Sequence, residues 1–175
     1  MIVLSVDPGL SLTGGTGYAL FRTEAAYLAP GAPEGGLVTA GLITPTEERL
    51  EERIREIRFN LEKRCAPYGE RSKIVIEKMK VYSVTKQKGA QGDLIDLAHL
   101  GGALMHLATS AVLVEPSGWK GQVPKDVVAG LVEARLAERE RATLNTILEG
   151  VAKTRRHNVY EAVGIGLWYL RRWAK

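Results

Sequence analysis

The chain has 175 residues, 45% of them hydrophobic and 25% charged, with a formal net charge of +4. That length and balance exclude a disordered or fibrous chain and allow a substantial hydrophobic core, so one domain over residues 1–175 is expected. The one cysteine, Cys65, excludes an intrachain disulfide. The opening residues do not read as a secretion signal, which makes the cytoplasm the expected compartment.

Residues 1–6 are a β-branched run that ends abruptly at Asp7-Pro8-Gly9, which predicts a buried strand and a turn. Residues 14–22 and 35–44 are strand-like around a Pro/Gly/Ala-rich loop, predicting an antiparallel meander. Over 46–64, Leu50, Ile54, Ile57 and Leu61 recur at helical spacing with six acids and six bases on the other faces. This predicts an amphipathic helix capped by Thr46. Residues 72–77 form a second buried strand ending in a carboxylate, followed by a polar loop. Helical patterns follow at 93–108, 125–139, 141–152 and 158–173, with a strand at 110–116. The uncharged run 97–114 has the eighteen residues a membrane span needs. Its two histidines, Gly101-Gly102 and Thr109-Ser110 instead indicate a helix end, a turn and a short strand. The order βββαβαβα predicts an α/β architecture, a mixed sheet of five strands flanked by helices.

The charge is unevenly spread. Residues 71–90 and 153–175 each carry six Lys or Arg against one Glu, so the rest of the chain is net negative. Two basic stretches on an acidic body suit a protein that meets a polyanion on one face, although solvated lysines give the same count.

Asp7 and Glu77 each close an apolar strand, where a ligand reaches the crevice of an open α/β sheet. A carboxylate beside such strands is costly unless it is paired or binds a cation; turn capping is the plainer alternative. Oxygen-rich sites suit Mg²⁺, and two ions about 3.5–4 Å apart activate water and stabilise the leaving oxygen in phosphodiester hydrolysis. A third ligand should come from elsewhere, and Asn158 and Glu161 lie three residues apart at a helix start, on one face.

Four blocks, "VLSVDPGLSLTGGTGYALF", "IVIEKM", "VEPSGWKGQVPKDVV" and "HNVYEAVGIGL", resemble in order and interval those of the RuvC-type Holliday junction resolvases, especially their phage-borne branch. The resemblance implies an RNase H-like fold, a homodimer in a bacterial or phage-infected cell, two Mg²⁺ ions per site, and paired nicks across a four-way DNA junction. By position it makes Asp7, Glu77, Asn158 and Glu161 the metal ligands and catalytic set, with Lys120 and Lys125 as two essential lysines. Asn158 departs from the acid or histidine usual there, and Glu161 is longer than the usual Asp. A weakened second Mg²⁺ site, well served by Mn²⁺, is the expected result. His157 adjoins them as a candidate nitrogen ligand or proton carrier, or as a surface histidine.

Lys80, Tyr82, Lys86 and Lys88, in the loop after Glu77, are candidate DNA contacts. The lysines would neutralise phosphates, and Tyr82 would stack on an unpaired base or pack at the loop base. Lys120 and Lys125 would face the scissile phosphate, and Arg155 and Arg156 would grip the backbone or form a solvated turn. Trp119 reads as a packing residue that anchors its loop. The helix over 93–108 carries Leu94, Leu97, Leu100 and Leu104 with Gly101-Gly102. In the family this helix dimerises, although ordinary core packing also explains its leucines. Two other classes compete. An actin-like nucleotide phosphotransferase needs two related lobes, and no internal repeat is present. A non-catalytic binder of branched DNA would keep the fold and lose the second metal at Asn158. Cleavage preference and any helicase partner leave no mark on the sequence.

Overall fold

The structure is a computed structural model that describes residues 1–23, 36–78 and 91–173. Five strands form one sheet: β1 (Ile2–Asp7), β2 (Thr16–Arg22), β3 (Gly36–Ile43), β4 (Lys73–Glu77) and β5 (Ser110–Val114), in the order β3-β2-β1-β4-β5. β1, β2 and β3 make the expected antiparallel meander, and β4 pairs in parallel with β1 and β5. The helices are α1 (Leu50–Cys65), α2 (Gln91–Met105), α3 (Pro116–Trp119), α4 (Lys125–Arg135), α5 (Glu138–Glu149) and α6 (Arg156–Tyr169).

Alternation along the strands divides the core in two. Val3, Ala19, Phe21 and Val75 point to a layer shared with α4, α5 and α6, while Leu4, Val6, Leu20, Ile74 and Ile76 point to one shared with α1 and α2. β1 is buried on both faces, which is why its sequence reads as an unbroken apolar run. α6 lies directly on β1 and β2. Its close approach depends on Gly17, where a Cβ would sit 2.0 Å from the Asn158 carbonyl oxygen. The Ser5 hydroxyl then donates to Ala162 O at 2.7 Å, tying β1 to α6.

Several expected boundaries shift. α1 starts at Leu50 with Arg49 before it and no side-chain cap. Thr46 is not its cap; its amide donates at 2.8 Å and its hydroxyl at 3.1 Å to the Glu56 carboxylate, which reaches back from within the helix. β5 stops at Val114 because Pro116, which has no N–H for a ladder, opens α3. The helical pattern expected over 125–139 ends as α4 at Arg135, and α5 restarts at Glu138. Among the described residues no helix is long and apolar enough to cross a membrane, and 97–114 is the end of α2, a turn and β5.

A buried clasp closes the face behind α6. The Glu140 carboxylate accepts from Leu37 N at 2.6 Å, from Ala137 N at 2.8 Å and from the Arg172 guanidinium at 2.8 and 2.5 Å. It joins β3, the start of α5 and the segment after α6. Burial pushes the Glu140 carboxyl up, but Arg172 and the two backbone N–H groups outweigh it and hold it below its ordinary range. The clasp's contribution is therefore full above the ordinary carboxylate pKa and lost as pH falls through and below it. Glu140→Gln should destabilise the fold by about 2 kcal/mol at pH 7, in the range for a hydrogen bond to a charged group. In urea titrations the deficit should shrink toward pH 3; an equal deficit at both pH values would show that charge plays no part.

Candidate active site

The parallel pairing of β1 with β4, Val6 opposite Ile76, brings Asp7 and Glu77 to the same end of the sheet. The first turns of α6 cross over them and add Asn158 and Glu161, both buried although polar. All four residues that the sequence nominates thus converge from three elements. Asp7 is 8% exposed and accepts no hydrogen bond from the described residues. Burial, then the charges of Glu161 and Glu77, hold its carboxyl well above the ordinary value, against the opposing pull of Lys125 and Lys120. Glu77 is also raised, by burial first, although Lys120 and the Trp119 hydrogen bond oppose the shift.

The two lysines are where the carboxylates need them. Lys120 Nζ donates to Glu161 Oε1 at 2.6 Å and lies 3.7 Å from Glu77 Oε2, with its side chain 11% exposed. Burial disfavours its charge, but Glu77 and the hydrogen bond to Glu161 more than compensate, and its pKa is raised. Lys125 Nζ sits 3.7 Å from Glu161 Oε2 on a side chain that is 67% exposed. It is free to turn outward, whereas Lys120 is held inside.

Asn158 donates its amide N–H to Gly15 O at 3.1 Å, which leaves its carbonyl oxygen for other partners. His157 is exposed, and its Nδ1 lies 3.0 Å from Thr154 O. That carbonyl only accepts, so Nδ1 carries the hydrogen. Arg155 and Arg156 are half-buried and engaged, Arg155 with the Thr44 hydroxyl at 3.4 Å and Arg156 with Val151 O at 3.0 Å. Their guanidinium groups brace the approach to α6. Lys80, Tyr82, Lys86 and Lys88 lie outside the described residues.

Beside these groups opens a cleft of about 520 Å³, lined by Asp7, Gly15, Arg53, Asp93, Lys125 and Asn158 among others. Arg53 fixes its wall by donating to Leu10 O at 3.1 Å and Glu48 O at 3.0 Å. Asp93 and Asp96, both on the cleft wall, were not among the nominated residues. They show the signal that marks Asn158 and Glu161, two polar groups three apart at a helix start. Trp119 also exceeds its expected role: it is fully buried, and it donates Nε1–H to Glu77 Oε2 at 2.6 Å.

The donor chemistry of Asp7, Glu77 and Glu161, three oxygen acids crowded at one sheet end, fits a hard divalent cation. Among the described residues, however, no three His, Cys, Asp or Glu side chains are grouped so as to hold a metal ion. The ammonium of Lys120 contacts two of the three acids and supplies their positive partner.

The sheet order and the flanking helices define an RNase H-like fold. The chain is similar to *Thermus thermophilus* RuvC, solved alone (TM-score 0.57, 17% identity, 95% of this chain and 92% of that one) and in complex with a Holliday junction substrate (0.55, 17%, 95% and 91%). It is also similar to the yeast mitochondrial Holliday junction resolvase Ydc2 (0.61, 12%, 98% and 78%). No family model and no curated protein matches the sequence. The resemblance to RuvC-type resolvases thus holds in three dimensions as a likeness of fold.

Proposed function

We propose that the chain is a structure-selective endodeoxyribonuclease that resolves four-way DNA junctions by paired hydrolytic nicks. The observation that carries this reading is the meeting of Asp7, Glu77 and Glu161 with Lys120 and Lys125 at one sheet end of an RNase H-like fold. Asp7, Glu77 and Glu161, with the Asn158 carbonyl oxygen as a neutral fourth donor, would hold Mg²⁺ or Mn²⁺. When bound, the ions supply a water nucleophile at neutral pH and neutralise charge on the phosphate. Lys125, an exposed side chain of the cleft lining, would meet a phosphate entering from solvent. Lys80, Lys86 and Lys88 would add phosphate contacts, and Tyr82 would stack at the junction centre.

A homodimer accords with paired nicks, since one chain offers one site. Ile95 and Met105 on α2 are exposed, and a Cβ at Gly101 or Gly102 would meet nothing within 4 Å. Among the described residues nothing covers α2 at these glycines, which would suit close approach of a second copy. A non-catalytic reading has one point in its favour, the neutral amide at 158. One experiment separates the readings: a synthetic four-way junction is incubated with the protein in Mg²⁺, Mn²⁺ or EDTA and resolved on a gel. Symmetric nicks in either metal and none in EDTA are expected, with light scattering giving about twice the 19.1 kDa chain mass. Junction binding without nicks in both metals would sink the nuclease reading.

A further inference from the structure

We infer that Trp119 is a positioning residue for the metal-binding carboxylate Glu77, an inference that rests on the nuclease reading for the meaning of that site. The block "PSGWK" places an indole directly before Lys120. In the fold, that indole sits between the end of β4 and α6. It is fully buried, its N–H donates to Glu77 Oε2 at 2.6 Å, and its ring lies 4.9 Å from Lys120 Nζ. On its other side it meets Trp173 edge-on at 5.4 Å. α6 accommodates it only because residue 164 is glycine, where a Cβ would come within 2.6 Å of the ring.

Packing alone would be met by any large apolar ring, but the polar handle does something further. A carboxylate at a strand end can rotate about its side-chain bonds. The indole N–H occupies Oε2 and leaves Oε1 with no hydrogen bond from the described residues, so one oxygen is fixed and the other is presented. Outer-sphere donors of this kind orient metal-ligating groups, and their loss typically costs about 10–100-fold in metal affinity or activity. The same ring holds the Lys120 ammonium by a cation–π contact. A single side chain therefore sets the positions of an acid from β4 and a base that pairs with the acid from α6.

The test compares Trp119→Phe, which keeps a ring and loses the N–H, with Trp173→Phe, which disturbs the adjoining ring and touches no carboxylate. Mn²⁺ affinity is read by electron paramagnetic resonance of the free ion, stability by urea titration, and kcat and KM by junction cleavage. Trp119→Phe should weaken Mn²⁺ binding about tenfold or more and lower kcat by about 10–100-fold, with the junction KM within about twofold. Trp173→Phe should lose stability and keep its Mn²⁺ affinity. Equal Mn²⁺ affinities in the two variants would overturn the inference. Should Trp119→Phe not fold, a Trp168→Phe/Trp173→Phe protein leaves Trp119 as the sole indole. Its emission should then change on Mg²⁺ addition, and an unchanged emission at metal saturation would equally overturn it. Because Mn²⁺ binding needs no DNA, a wild type that binds metal but cuts no junction would sink the nuclease reading while the comparison at Glu77 still decides this one.

Discussion

Asp7→Asn should lower metal-supported junction cleavage by at least about a hundredfold, beyond what loss of an outer-sphere partner costs, while junction affinity stays within about threefold. The asymmetry follows from what Asp7 touches. It is buried at the sheet end, accepts no hydrogen bond from the described residues, and is surrounded by the charges of Glu161 and Glu77. On the nuclease reading its charge would serve a bound cation and not the DNA. The same crowding predicts a second effect of opposite sign. Because burial and like charges push its carboxyl well above the ordinary value, the ionised form costs folding free energy at neutral pH when no metal is bound. Asp7→Asn removes that cost, so the metal-free variant should melt higher than wild type, by about 2–4 °C for each kcal/mol relieved. Added Mg²⁺ should raise the melting temperature of wild type more than that of the variant. Calorimetry with and without metal, beside a cleavage gel, reads both effects. Cleavage retained above about one per cent would remove Asp7 from the site, and a lower metal-free melting temperature would show that its charge is already compensated within the chain.

The parts of this site that were legible in the sequence are those written into single strands and helices. Apolar runs ending in Asp7 and Glu77 announce buried strands with a carboxylate at the mouth, and α/β topology brings such ends together. Asn158 and Glu161 are legible because a helix places residues three apart on one face. What could not be read are the partners across the chain. Trp119 and Lys120 find Glu77 and Glu161 over separations of 42 and 41 residues, and no local period records such a meeting. Thr46 shows the complementary error: a threonine before an amphipathic run satisfies the rule for a helix cap. The Glu56 carboxylate offered it a charged acceptor, and the helix began four residues later. Arg155 and Arg156 show the same limit, since a basic pair does not record in sequence the hydroxyl and the carbonyl that the two side chains meet in the fold.

Lys120→Met should produce a combination that no purely structural lysine would: a less stable metal-free protein that binds Mn²⁺ more tightly and cleaves far less. In the metal-free chain the Lys120 ammonium contacts both Glu161 and Glu77 from a side chain that is 11% exposed, and Glu161 itself is 2% exposed. Removing one partner of such a pair leaves a buried charge uncompensated, and breaking a buried pair costs about 3–5 kcal/mol. About 3 kcal/mol is expected here, because Lys125 remains 3.7 Å from Glu161. A divalent cation held here would compete with that ammonium for the same two carboxylates, so deleting the competitor should lower the Mn²⁺ dissociation constant, by about tenfold if some 1.4 kcal/mol of the pairing opposes metal binding. Cleavage should nevertheless fall by at least about a hundredfold, since on the nuclease reading Lys120 would supply a buried cation to stabilise charge on the phosphate. Lys125→Met supplies the contrast. Its side chain is 67% exposed, so its pairing in water contributes at most about 1 kcal/mol and its loss should spare both stability and metal affinity. Weaker Mn²⁺ binding in Lys120→Met would mean that the lysine helps to assemble the metal site, and the competition between ammonium and metal would have to be abandoned.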